Sequence, residues 1–324
     1  MEKRSLGRTD IEIAPILVGT WQAGKRMWTG IDDGESIRAI RAAYEAGITT
    51  VDTAEVYGEG HSEQIVGRAL GDVRDRVVYC TKVFANHLHY SGVIEARDRS
   101  LKNLNTDYID LYRIHRPSGT FNSPIVPIEE TPLALNDLKE QGKIRAIGVS
   151  NFNRTQLEEA SRYGRIESLQ PPYSLFLRGV EKELAPYCIE NQISILAYSP
   201  LAQGLLTGKF REGFQLEEGD HRAKNKLFQG ENFQRVQKAL DEPRPSADRH
   251  GCSLAQLALA WPIRQPRTHA IAGVRNATQA IRRYAPDNAA AMTVDLSPED
   301  VAEIDSIGRR VTDFLDDNPV MREF

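Results

Sequence analysis

Cysteine is scarce in this chain. Only Cys80, Cys188 and Cys252 occur, widely separated, among 324 residues. So few thiols exclude a disulfide framework and a Cys-rich metal site, and they fit a reducing compartment in which cysteines serve as small buried hydrophobes. Long apolar runs are missing as well, since none approaches the roughly 20 residues a membrane-spanning helix needs. The opening "MEKRSLGRTD" lacks the apolar stretch and small-residue cleavage site of a secretory signal. The expectation is a cytoplasmic protein.

There is no excess of basic charge either. Lys and Arg number 41 against 45 Asp and Glu, for a net charge of -4, and no long basic block offsets that balance. This gives no electrostatic footprint for nucleic acid, so a small-molecule partner is expected. No Pro/Gly/Ser-rich linker is long enough to divide residues 1–324, which read as one domain, with a monomer or small homo-oligomer as the assembly. A G-x-G-x-x-G turn after an early strand is also absent, which counts against a doubly wound sheet with a second domain. Gly58 and Gly60 alone read as turn residues.

What is present is a core-forming composition, 40% hydrophobic and 27% charged, and a repeating phrase. After a polar opening with hairpin character, "RSLGRTDIEIAPILVGT", a helical pattern, a Gly or Asn stop and a short β-branched run recur. Helix "GESIRAIRAAYEAG" stops at Gly47 before strand "ITTVDT", and helix "TPLALNDLKEQG" starts with Pro132 behind Thr131 and stops at Gly142 before "IRAIGVS". Helix "NRTQLEEASRYG" opens on an Asn153/Gln156 capping-box pattern before "IESLQ", and helix "GVEKELAPYCIEN" leads to "ISILAYS". With "ILVGT", "VVYCTKV", "YIDLYRIH" and "HAIAGV", eight strands alternate with helices. A (β/α)8 TIM barrel with an N-terminal β-hairpin is the economical α/β solution, and residues 201–230 form a long loop after strand seven, a place where functional lids and binding segments occur.

In such a barrel the catalytic rim is the C-terminal end of the strands. Strand two ends in Asp52, with Tyr57 on the loop that follows; strand three ends near Lys82, and strand four near His115. Each alone has a structural explanation as a cap, a packed ring, a solvated charge or a core imidazole. Together they deliver a carboxylate, a phenol, an ammonium and an imidazole to one rim, an arrangement suited to proton transfer. A Lys82 ammonium about 4 Å from the phenol, at an effective dielectric near 20, gives about 4 kcal/mol of attraction, or roughly three pKa units before desolvation opposes it. The expectation is that this brings Tyr57 toward neutral pH while Asp52 keeps Lys82 charged, with His115 positioning a substrate oxygen beside Tyr57.

These residues resemble the aldo-keto reductases, specifically the bacterial and plant members related to potassium-channel β-subunits. The resemblance spans nearly the whole chain through "VDTAEVYGEGHSEQIVGRAL", "CTKV", "LYRIHRP", "IRAIGVSNF", "LQPPYSLF", "LAYSPLAQGLLTGK" and "AGVRNATQ", in family order. It implies NADPH bound without a Rossmann domain, Tyr57 as general acid, Lys82 and Asp52 tuning it and His115 orienting the carbonyl. It further implies that Ser150, Asn151 and Gln170 hold the nicotinamide carboxamide and that Tyr198 stacks on its ring. By the same resemblance Ser199, Leu201, Gln203, Gly204 and Lys209 reach the pyrophosphate, and Arg275 and Gln279 the adenosine 2′-phosphate. The family usually continues with a Glu-Asn pair at the adenine edge. Here Arg282 and Arg283 stand instead, and an Arg cannot accept from the adenine amino group.

Trp21, Trp28, Phe84 and His87, on loops after strands one and three, are candidates to wall a substrate pocket. The leading function is reduction of aldehydes or ketones to alcohols by hydride transfer from NADPH. The alternative is a cofactor-sensing interaction subunit resembling channel β-subunits, with only slow chemistry. No metal is expected: of seven histidines only His115 clearly ends a strand, too few for a metal-dependent barrel hydrolase.

Overall fold

The eight strand-like segments close on themselves in a computed structural model of the chain. It describes residues 3–26, 28, 30–211, 213–216, 218, 220–274 and 281–313, with only the backbone for 221 and 281–285. A short hairpin, β1 (Arg4–Ser5) and β2 (Glu12–Ile13), precedes the barrel strands β3 (Ile16–Gly19), β4 (Thr50–Asp52), β5 (Val78–Val83), β6 (Ile109–Ile114), β7 (Ile144–Ser150), β8 (Ser168–Gln170), β9 (Ser194–Ala197) and β10 (Thr268–Gly273). All neighbours are parallel, and β10 pairs with β3 through Ala270 opposite Ile16 to complete the (β/α)8 barrel.

The helices are α1 (Asp33–Glu45), α2 (His61–Leu70), α3 (Tyr90–Leu104), α4 (Glu130–Glu140), α5 (Arg154–Tyr163), α6 (Leu184–Glu190), α7 (Gly230–Asp241), α8 (Arg244–Arg249), α9 (Leu254–Arg264), α10 (Ile281–Ala290) and α11 (Pro298–Thr312). Gly47 ends α1 at φ 95°, a backbone state that glycine adopts without steric cost. The reciprocal Asn153/Gln156 capping box starts α5 as its sequence requires.

Two helix readings are corrected. The stretch "GVEKELAPYCIEN" is not one helix but a 3-10 turn, Gly179–Glu181, followed by α6. Pro186 is the cause: it has no N–H for a bond back to residue 182, so it is tolerated only in the first turn of a new helix. Helix α4 begins at Glu130 rather than behind Thr131, whose hydroxyl donates to the Leu88 carbonyl at 2.7 Å instead of capping the helix. Among its described residues the long loop after β9 contains three 3-10 turns, Ala202–Thr207, His221–Lys224 and Lys226–Phe228.

Strand side chains alternate between two cores. One lies between the sheet and the surrounding helices and includes Val51, Tyr79, Tyr112, Ile147 and Ile195. Inside the barrel, Leu17, Cys80, Leu111, Ala146, Leu196 and Ile271 form an apolar layer onto which Leu6, Ile11 and Ile13 of the hairpin region pack. The hairpin thus closes the N-terminal end of the barrel. Two residues further along the same strands the inward positions turn polar, at Lys82 and Arg113, and the site begins there.

Candidate active site

Asp52 ends β4, and its carboxylate is buried at 3% exposure. Its Oδ1 accepts from Lys82 Nζ at 2.7 Å; its Oδ2 accepts from Gln170 Nε2 at 3.0 Å and from the Arg113 guanidinium. Lys82 and Arg113 are both at 0% exposure and stand opposite each other in the β5–β6 register. Burial by itself pushes the Asp52 carboxyl up, but the Arg113 and Lys82 charges outweigh it and hold the group below the usual carboxylate range.

Lys82 directs its ammonium to three acceptors: Asp52 Oδ1, the Thr53 carbonyl at 2.6 Å and the Tyr57 hydroxyl oxygen at 3.4 Å. That uses its three donors. Burial lowers its pKa to about 8, with Asp52 opposing and Arg113 reinforcing the shift.

Tyr57 is positioned by backbone contact. A Cβ on Gly24 would come within 2.6 Å of the Tyr57 carbonyl carbon, and one on Gly58 would run into the Gly24 carbonyl, so the loops after β3 and β4 touch only because both residues are glycine. The Tyr57 amide donates to Ala54 O at 3.1 Å, and its carbonyl accepts from Ser62 at the start of α2.

The expected pull of Lys82 on the phenol is not found. Burial and the Asp52 charge raise the Tyr57 pKa, while Arg113 and Arg116 oppose the rise. Lys82, closer to Asp52 than to the phenol and with a pKa near 8, loses its own proton before the phenol would ionise.

The His115 ring lies 5.6 Å from that of Tyr57 and 5.6 Å from that of Phe84, edge to face in both cases. Burial, aided by Lys82, Arg116 and Arg113, holds its pKa well below the usual histidine value, so the imidazole is neutral at pH 7. Trp21 stands 6.5 Å from Tyr57 and 5.2 Å from Trp28, and Phe84 stands 5.7 Å from Phe121. These rings and His115 form an aromatic arc around the phenol. His87 is held instead by Glu55 Oε1 at 2.9 Å, the same atom that accepts from the Phe84 amide at 2.8 Å, and Arg99 binds the other Glu55 oxygen.

Beside His115 an amide-rich shelf spans the ends of β7, β8 and β9. Asn151, at φ 61°, donates to His115 O at 3.1 Å and Ser150 Oγ at 2.9 Å and accepts from the Tyr198 hydroxyl at 2.9 Å; Ser150 Oγ donates to Gln170 O at 2.8 Å. Such a set offers donors and acceptors together, as a carboxamide requires. Further along, Ala202, Gln203 and Gly204 have successive positive φ values of 46°, 58° and 97°, within the turn that follows Ser199 and Leu201. A Cβ on Gly204 would lie 3.6 Å from Lys209 Nζ, so bare backbone and an ammonium adjoin, a combination suited to an anion. The Gln203 side chain is tied down by Asn225 at 2.8 Å.

Near the end of β10 the buried Gln22 Oε1 accepts no hydrogen bond, and a Cβ on Gly273 would lie 3.7 Å from it. An orphaned acceptor at the mouth, the amide shelf and the glycine-lysine cradle together fit a nicotinamide dinucleotide. Arg275 and Gln279 lie outside the described residues. Arg282 and Arg283 fall on α10, with side chains outside that description.

Arg113, Gln22, Glu55 and Arg116 were not singled out from the sequence. Arg113 carried a usable signal: it lies two positions before His115, so strand alternation places both on the inner face. Among the described residues there is no cluster of His, Cys, Asp and Glu suited to a metal, and no helix is long and apolar enough to cross a membrane.

Residues 15–309 match the family model described as "Aldo/keto reductase family". The chain is 41% identical over 277 residues to Aldo-keto reductase YhdN of Bacillus subtilis, covering 82% of each. It is 36% identical to the NADH-specific methylglyoxal reductase of Escherichia coli, over 93% of this chain and 96% of that one. Among solved structures it is similar to the glycerol dehydrogenase AKR11B4 of Gluconobacter oxydans, with a TM-score of 0.85, 32% identity and 97% of both chains covered. It is also similar to an aldo-keto reductase of Klebsiella pneumoniae in complex with NADPH, with a TM-score of 0.74, 31% identity, and 94% and 95% covered. A closed barrel whose rim gathers Asp52, Tyr57, Lys82 and His115, matched by the family model over nearly its whole length, belongs to the aldo/keto reductase family.

Proposed function

We propose that this protein reduces aldehydes and ketones to alcohols, with Tyr57 as the general acid and NADPH as the reductant. The observation that carries the reading is the Tyr57 hydroxyl 3.4 Å from a buried Lys82 that is itself 2.7 Å from Asp52, with the His115 ring beside the phenol. A bound nicotinamide dinucleotide supplies the hydride. Ser150, Asn151, Gln170 and Tyr198 would hold its carboxamide end, Ser199, Leu201, Gln203, Gly204 and Lys209 its pyrophosphate, and Arg275 and Gln279 a 2′-phosphate.

The raised pKa of Tyr57 suits this direction. At pH 7 the phenol is fully protonated, and an alkoxide is a far stronger base than a phenolate, so proton transfer from Tyr57 to the new alkoxide runs downhill. Neutral His115 can orient a carbonyl oxygen by a hydrogen bond without competing as an acid. The rings of Trp21, Trp28 and Phe84 give that oxygen an apolar surround, which strengthens each of these interactions.

We propose further that the chain acts in the cytoplasm as one barrel domain, alone or in a small homo-oligomer. The preference for NADPH rests on the Arg275 guanidinium, whose planar fork suits a phosphate. The test is steady-state oxidation of NADPH and of NADH over a panel of carbonyls that includes 4-nitrobenzaldehyde and methylglyoxal. Rapid turnover that is faster with NADPH supports the reading; slow turnover with cofactor retained through gel filtration supports a sensing subunit instead.

A further inference from the structure

We propose that Arg113 is a positioning residue for the reaction: it supplies the permanent positive charge that balances the Tyr57 phenolate formed when the phenol gives up its proton. The inference rests on the reading of Tyr57 as the general acid.

Among the described residues Arg113 is the largest charged side chain wholly enclosed by the protein, at 0% exposure in the middle of β6. A guanidinium in such a place demands compensation, yet only Nη2 is engaged, by Asp52 Oδ2; Nε and Nη1 are buried with no hydrogen-bond partner. Its stem is accommodated because β7 carries Gly148 beside it, where a Cβ would come within 2.7 Å of Arg113 Cγ. A buried cation with two orphan donors is costly for a barrel that needs only packing. It shares Asp52 with Lys82, whose ammonium reaches the Tyr57 hydroxyl at 3.4 Å, and that place gives it a use.

The charges around the phenol are few. Asp52 comes from β4, Lys82 and the thiol Cys80 from β5, Arg113 from β6 with His115 and Arg116 just beyond it, and the phenol Tyr198 from the end of β9; β7 and β8 contribute neutral Ser150 and Gln170. At neutral pH one carboxylate is shared by two cations, so the enclosed cluster carries one net positive charge.

Without Arg113, Asp52 and Lys82 would form a neutral pair, and a phenolate beside them would rely for permanent positive charge on Arg116, which is only half-buried. Lys82 is not a constant source of charge, because its pKa of about 8 lets it lose its proton within the working range. A guanidinium does not titrate there. In step with this, Arg113 opposes the rise of the Tyr57 pKa.

The test uses the full-length protein, NADPH and 4-nitrobenzaldehyde. Wild type and Tyr57→Phe are measured first: if the phenylalanine variant turns over normally, it is the general-acid reading that fails. With that reading intact, Arg113→Met is compared with wild type from pH 6 to pH 10. Loss of the guanidinium makes both Tyr57 and Lys82 harder to deprotonate, so the alkaline fall in kcat should move up by about one pH unit. On the neutral plateau kcat should drop about tenfold, with KM nearly unchanged.

A residue that merely props the barrel would lower the amount of folded enzyme and leave that midpoint in place. Arg113→Gln, which keeps a neutral donor for Asp52, stands in if Arg113→Met does not fold. An alkaline midpoint within about 0.2 pH units of wild type, in whichever variant folds, overturns the proposal.

Discussion

The Lys82 ammonium is 2.7 Å from Asp52 Oδ1 and 3.4 Å from the Tyr57 hydroxyl, so it is engaged first by the carboxylate and only then by the phenol. The phenol is therefore held protonated at pH 7 rather than poised to ionise. Arg113 and Arg116, rather than Lys82, are the cations that most oppose its raised pKa.

The fit of Arg113 against β7 can be tested at Gly148. Any Cβ there meets Ser168 Oγ and approaches Arg113 Cγ to 2.7 Å, in a barrel interior with no slack. Gly148→Ala should cost about 1–3 kcal/mol in urea unfolding and lower kcat, because the guanidinium must shift away from Asp52. Unchanged stability and turnover would show that the site tolerates a displaced Arg113.

Glu55 links the loops after β4 and β5 through the Phe84 amide, His87 and Arg99. Glu55→Ala leaves the Phe84 N–H without its acceptor and frees an aromatic wall of the pocket. The KM for 4-nitrobenzaldehyde should rise roughly fivefold, equivalent to about 1 kcal/mol, with kcat little changed. An unaltered KM would remove Phe84 from the pocket wall.

His269 gives a pH-dependent stability away from the chemistry. Its Nδ1 is paired with Ala14 O at 3.0 Å, and burial lowers its pKa to about 4. The folded-state value lies below the unfolded value of about 6.5, so the unfolded chain binds the extra proton between the two, and stability falls as pH drops through that window. From pH 7 to pH 5 the loss from this group should be about 2 kcal/mol in urea unfolding, and His269→Gln should lack it. An identical pH slope in the variant would contradict the assignment.

Cofactor choice separates into two contacts. Lys209 beside Gly204 is suited to a pyrophosphate common to both dinucleotides, whereas the function proposed above gives Arg275 the 2′-phosphate that only NADPH carries. Fluorescence titration should show Lys209→Met weakening NADH and NADPH alike, by about tenfold, and Arg275→Ala weakening NADPH alone. Equal weakening of both by Arg275→Ala would remove the basis for the NADPH preference.

The barrel was legible because most strands are short apolar runs that follow a helical pattern and its stop, and all eight are found where the sequence places them. Asp52, Lys82 and His115 were legible because a strand end has a fixed side in a parallel barrel. The inward face of Arg113 was legible from its place two positions before His115, but its pairing with Asp52 was not, because that contact crosses from β6 to β4. The direction of the Tyr57 shift was not legible, because burial and the Asp52 charge, neither contained in a pairwise attraction to Lys82, raise the phenol's pKa. Pro186 was a readable break in "GVEKELAPYCIEN", since its missing N–H alone divides that stretch.

The most direct measurement of the central claim is NADPH oxidation with 4-nitrobenzaldehyde by wild type and Tyr57→Phe, alongside NADPH titration of the same preparations. Loss of the phenolic proton should cut kcat by about a hundredfold to ten-thousandfold while NADPH affinity stays within about twofold. Turnover near the wild-type rate in Tyr57→Phe would contradict Tyr57 as the proton donor.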